Sequence, residues 1–158
     1  MKKLIYLIAG LIIGAILTGT LVWNMMPKMM LLTMQSKFDF QTTVDKLIIA
    51  AYDQGWEIVN EIDIQERLAS FGYDDMLRVR VIEICHADHS YTVLQDDDNK
   101  HVAGIMPDRF AVYETHDGRV MISKMNIGLM SKMFGGTIQQ VMSGAAKEEK
   151  AMLDEVTR

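Results

Sequence analysis

The sequence predicts an α+β protein: a two-layer domain with a mostly antiparallel sheet and helices packed on one face, preceded by one transmembrane helix. Three observations carry this expectation. Leu4 to Trp23 is a run of 20 residues without a charge, and at 1.5 Å per residue that reaches the roughly 30 Å thickness of a bilayer core. Beyond it, stretches with helical spacing of apolar residues are interspersed with stretches that alternate. Asp117-Gly118 separates two alternating runs, which marks a hairpin and makes the sheet mostly antiparallel.

Composition narrows the function classes. The chain has 158 residues, 49% of them apolar and 23% charged, which excludes a disordered or collagenous chain. A single cysteine, Cys85, excludes an intramolecular disulfide framework and a four-thiolate metal site within one chain. A formal charge of -5 and a pI near 5.3 argue against a nucleic-acid partner.

The apolar run is longer than the roughly 7–15-residue core of a cleaved signal peptide. Thr18-Gly19-Thr20 is a poor cleavage site, so an uncleaved anchor is expected. Lys2 and Lys3 precede the span and Lys28 is the one close basic residue after it, so the positive-inside rule places the amino end in the cytoplasm and the main domain in the periplasm or outside the cell. Gly10 and Gly14, with Thr18 one turn on, put small residues on one helix face, where a second span can pack. Residues 1–24 are therefore read as a signal-anchor, 25–34 as a methionine-rich juxtamembrane segment, and 35–158 as the α+β domain.

Pro27 is expected to end or bend the membrane helix. Leu31–Ser36 then enters a first strand. Phe40–Tyr52 is an amphipathic helix with Phe40, Val44, Leu47, Ile48 and Ala51 on one face, Asp39 as N-cap and Gly55 as left-handed terminator. Trp56–Ile64 alternates, with Trp56, Ile58, Ile62 and Ile64 facing inward against Glu57, Glu61 and Asp63. A short helix follows at Gln65–Phe71, a strand at Arg78–Ile84, a brief helix or turn from Asp88 to Gln95, and a loop at Asp96–Asn99. The hairpin strands are Arg109–His116 and Arg119–Met125, joined by a primed turn at Asp117-Gly118. Helix returns after Asn126, breaks at Gly135-Gly136, and resumes over Thr137–Val156.

In this order, Phe40-x-x-Thr43-x-x-x-Leu47, Gly55-Trp56, Cys85 and Met106-Pro107-x-Arg109 resemble the uncharacterised bacterial domain-of-unknown-function family 302. Val112-Tyr113-Glu114, Asp117-Gly118, Met125-Asn126 and Met130-x-x-Met133-Phe134 extend the resemblance over about Leu32 to Val156. The resemblance implies a small α+β fold that pairs into a homodimer, in a family without an established activity. A cysteine often stands in the family where this chain has Asp108. Its loss removes dithiol–disulfide chemistry within one chain.

Cys85-His86-Ala87-Asp88-His89 is the densest run of ligand-type side chains, just past a strand end. Thiolate and imidazole suit a transition metal or haem, with Asp108 as an added oxygen ligand. Strand alternation opposes a shared site for Cys85 and His86, so Cys85 with His89 is the pair expected to meet. The competing reading buries Cys85 as a small hydrophobe, makes Asp88 a helix cap and leaves both histidines solvated. Met26, Met30 and Met34 have helical spacing and suit copper(I), but methionine more often fills cores and interfaces. Asp96–Asp98 lacks the glycine and distal glutamate of a calcium loop. No nucleophile elbow, phosphate loop, dinucleotide fingerprint or H-E-x-x-H helix is present.

The expectation is thus a membrane-anchored, extracytoplasmic, non-catalytic binding or accessory domain, dimeric, with an unidentified small ligand or protein partner. The alternatives are a redox or metal/haem-binding protein using Cys85 with His86 or His89, and an enzyme of unidentified reaction.

Overall fold

A computed structural model describes residues 2–157. Helix α1 spans Lys2–Met30, and its Tyr6–Met30 portion is apolar and long enough to cross a membrane, with none of its most apolar stretch buried in the protein. Pro27, expected to end or bend this helix, lies inside it, and α1 closes three residues later at Met30. The missing N–H costs the one bond that residue 27 would make back to Trp23 O, a turn before the helix closes.

The chain passes without a linker into β1 (Leu31–Gln35), so the strand that begins within the methionine-rich segment belongs to the sheet. Then come α2 (Phe40–Asp53), β2 (Glu57–Asp63), α3 (Ile64–Ala69), β3 (Val79–Cys85), α4 (Ala87–Leu94), a 3-10 segment (Asp97–Ile105), β4 (Asp108–Glu114), β5 (Val120–Met125), α5 (Ile127–Met130) and α6 (Gly136–Asp154). The Asp96–Asn99 stretch, expected as a loop, starts that 3-10 segment, because the Asp96 carboxylate accepts from Asp98 N and nucleates the turn.

All five strands pair antiparallel in the order β1-β5-β4-β3-β2. Ile82, Ile84, Phe110, Val112 and Ile122 share one face and are fully buried. Over them pack Phe40, Val44, Leu47 and Ala51 of α2 and Ala145, Met152 and Leu153 of α6. The α2 stripe is the one its spacing predicts, and Asp39 caps the helix by accepting from Thr42 N.

Two local expectations change. A bulge between Ile58 and Asn60 shifts the register of β2. One extra residue reverses the alternation, so Glu61 and Asp63 lie opposite Ile82 and Arg80 on the helix-covered side while Ile62 lies opposite Val81 on the other. Arg80 compensates by pairing with Glu61 at 2.9 Å and Asp63 at 2.6 Å. The hairpin turn also differs from the primed type. Among the described residues positive φ occurs only at glycine, so Asp117 stays right-handed and Gly118, at φ 81°, supplies the left-handed step alone. Gly118 N donates to Thr115 O and Thr115 N to Arg119 O, the pattern of a type I turn closed by a glycine bulge.

The registers put the start of β1, the end of β5, the start of β4, the end of β3 and the start of β2 at one end of the sheet. Helix α1 joins at this end. Asn126 ties the joint, donating from its backbone N to Met30 O at 2.8 Å and from its side-chain Nδ2 to Met29 O at 2.9 Å.

Candidate functional site: an apolar cavity edged by histidines

Helix α2 ends in a glycine cap. Gly55, at φ 80°, donates its N–H to Tyr52 O, and the following Trp56 N donates to Ala51 O. This reversal presents the Trp56 indole, 5% exposed, to the loop after β3. That strand stops at Cys85, and His86 becomes the N-cap of α4, freed from strand alternation. His86 and His89 then meet one turn apart, with ring centroids 4.1 Å apart. Trp56 packs against both, edge-on to His86 at 5.6 Å and tilted to His89 at 5.7 Å.

The third member comes from α6. Glu148 Oε2 lies 2.9 Å from His89 Nε2 and accepts a 2.9 Å hydrogen bond from Trp56 Nε1. Burial pushes the Glu148 carboxyl up, but the bonds from His89 and Trp56 outweigh it and hold the group below the usual carboxylate range. His86 Nδ1 is buried without a hydrogen-bond partner. One donor atom from each of His86, His89 and Glu148 falls within 4.8 Å of the others.

Trp56, His86 and His89 edge a mostly apolar cavity of about 90 Å³. Val93 of α4, Val102 of the 3-10 segment and Ile138 of α6 form a small apolar cluster that closes one side. Ile84, Met125 and Ile127 bring in the strand ends next to the α1 junction.

Cys85, His86, His89 and Asp108, the residues singled out from sequence, all line this one cavity. The structure groups His86 and His89 with Glu148, while Cys85 and Asp108 stand outside that close set. The Cys85 thiol is 3.1 Å from Ser90 Oγ. Asp108 starts β4 opposite Ile84 and accepts from Arg109 N at 2.8 Å. Burial raises its carboxyl above the ordinary range, opposed by the charges of Lys124 and Arg109. On the same sheet face, Lys124 forms a buried ion pair with Glu149 of α6. Burial pushes the Lys124 ammonium down to about 8 against the pull of Asp108.

Glu148 escaped sequence reasoning because Lys147-Glu148-Glu149-Lys150 reads as a solvated charge run. The i, i+3, i+4 stripe of Met142, Ala145, Glu149 and Met152 signals that Glu149 faces inward, but it gives no signal for Glu148. The helical methionine series Met26, Met30, Met34 is interrupted, since α1 ends at Met30 and Met34 belongs to β1.

Fold and site together define a small two-layer α+β domain, built on a five-stranded antiparallel sheet and holding an apolar, histidine-edged cavity at one sheet end. Residues 32–158 match the family model described as domain of unknown function DUF302, and the chain belongs to that family. The crystal structure of an uncharacterised conserved DUF302 protein from Bacillus stearothermophilus is similar in fold, with a TM-score of 0.69 at 19% identity, covering 79% of this chain and 96% of that one. No curated protein matches the chain.

Proposed function

We propose that this protein is a single-pass, membrane-anchored binding domain that faces away from the cytoplasm and holds an apolar group beside the membrane. The observation that carries the reading is position: the cavity lies at the end of the sheet where the apolar helix α1 enters β1. At about 90 Å³ the enclosed space is well below the roughly 300–1,000 Å³ of drug-sized ligand pockets. It suits the end of an acyl or isoprenoid chain, or another small apolar group. A largely apolar wall supports binding over catalysis.

The charge distribution agrees with the orientation. Lys2 and Lys3 stand directly before the span, and Lys28 is the one close basic residue after it. A homodimer belongs to the same reading. The Gly10, Gly14 and Thr18 face is exposed along α1, and the sheet face opposite the core carries half-buried Val81, Ala111 and Met121.

The test uses the full chain extracted from its membrane in mild detergent and then stripped with organic solvent. An apolar molecule should co-purify, and Ala145→Phe, which fills the cavity from α6, should lose it while the chain stays folded. An empty wild-type chain, or equal loading of the variant, contradicts the reading.

A further inference from the structure

We infer that His86, His89 and Glu148 form a binding site for one divalent transition-metal ion of the zinc class, with an open coordination position toward the cavity. The inference goes beyond the anchoring role and stands whether or not α1 spans a bilayer.

Two imidazoles and one carboxylate with a free fourth position make a donor set that suits zinc. The three donor atoms lie within 4.8 Å of one another without an ion. Metal bonds of about 2.0–2.2 Å place ligand atoms roughly 3.4 Å apart in a tetrahedron. His89 and Glu148, now at 2.9 Å, would therefore open slightly as an ion enters, and the wider separations in the set, up to 4.8 Å, would close.

His86 Nδ1 supplies the independent observation. It is buried from solvent and has no partner in the protein. Buried polar atoms are nearly always satisfied, and an unmet one at the edge of a cavity marks a missing ligand. The surroundings have the character of an outer shell. The Trp56 indole N–H holds Glu148 Oε2, which fixes a carboxylate as such bonds do around metal ligands. Gly55, held at φ 80° by the turn, lies beside the His86 ring, and a Cβ there would make ordinary van der Waals contact with Nε2 at 3.4 Å.

His89 Nε2 faces Glu148 Oε2 at 2.9 Å, and a neutral imidazole that ligates through Nε2 carries its one proton on Nδ1, so the ring changes tautomer on loading. No electron transfer is involved. Copper(II) would compete on affinity alone, as the general order of divalent ions requires.

The test is a Zn²⁺ titration, by calorimetry, of the full chain purified in detergent without a histidine tag and stripped with chelator. Co²⁺ serves as the absorbing substitute. One equivalent should bind per chain at micromolar concentration, with tetrahedral Co²⁺ bands displaced by Zn²⁺. His86→Ala and Glu148→Gln should each weaken binding at least tenfold, with folding of each variant checked by circular dichroism. Cys85→Ser and Asp108→Asn should leave it unchanged. A folded wild-type chain that takes up no Zn²⁺ overturns the site. So does uptake that survives both His86→Ala and Glu148→Gln, or that depends on Cys85 or Asp108.

Discussion

Lys124 and Glu149 are 5% and 0% exposed, and their charges meet between sheet and helix. The Glu149 carboxylate nonetheless lacks an aligned hydrogen-bond donor, so the attraction is set against desolvation of both groups. Removing one partner strands the other charge, and Lys124→Met should cost about 3–5 kcal/mol. The double variant Lys124→Met/Glu149→Leu should recover most of that loss or exceed the wild type. Urea denaturation of the full chain in detergent reads both, and a double variant no better than the single one contradicts this account. Gly55 offers a second residue-scale check. Its φ of 80° disfavours any side chain, so Gly55→Ala should cost about 1–2 kcal/mol and should disturb the packing of Trp56 on the histidines, visible in indole fluorescence. The cavity residues Cys85, His86 and His89 were legible as a dense local run. Glu148 was not, because it is 59 positions from His89 and its partnership exists only once α6 folds across the sheet.

The edge strand β2 shows how an element departs from its pattern. The alternation of Trp56 to Ile64 signalled a strand correctly, but a bulge leaves no mark in a run of alternating residues, so the faces after Ile58 were exchanged. The consequence is electrostatic. Asp63 caps α3 by accepting from Glu66 N and also pairs with Arg80, and these bonds hold its carboxyl below the ordinary 3.8. A depressed folded value means that the ionised form belongs to the native state. The stability it supplies is present above pH 3.8 and disappears as pH falls through the lower folded value. Melting temperature should therefore drop on acidification below about pH 4, and Asp63→Asn, which keeps the cap and removes the charge, should flatten that drop. An unchanged acid profile would show that Arg80 does not use Asp63. The type I turn at Thr115–Gly118 teaches a similar lesson, since Asp-Gly fits more than one hairpin closure and only the backbone decides.

At the scale of the whole molecule, the strand order β1-β5-β4-β3-β2 needed the structure, while the main helices, the strands and the core stripe of α2 followed from periodicity, because burial imposes a period of 3.6 or 2 on packed elements. The α1–β1 junction did not, since a proline usually marks a break and here falls in the last turn of a continuous helix. That junction gives the domain a defined end beside the apolar helix α1. An alkaline phosphatase fused after the last residue should be active if the domain lies outside the cytoplasm, and an inactive phosphatase with an active cytoplasmic reporter would reverse the orientation.

The central claim is that the cavity end of the domain rests against the bilayer, and paramagnetic accessibility of the full chain in lipid vesicles tests it most directly. Met133 and Phe71 are almost equally exposed, at 69% and 72%, but Met133 follows α5 beside the α1 junction while Phe71 follows α3 at the opposite end of the sheet. With Cys85→Ser as background, a spin label at Met133→Cys should sense dissolved oxygen more than a polar nickel reagent, and one at Phe71→Cys should show the reverse. Equal, water-like accessibility at both positions would contradict the account.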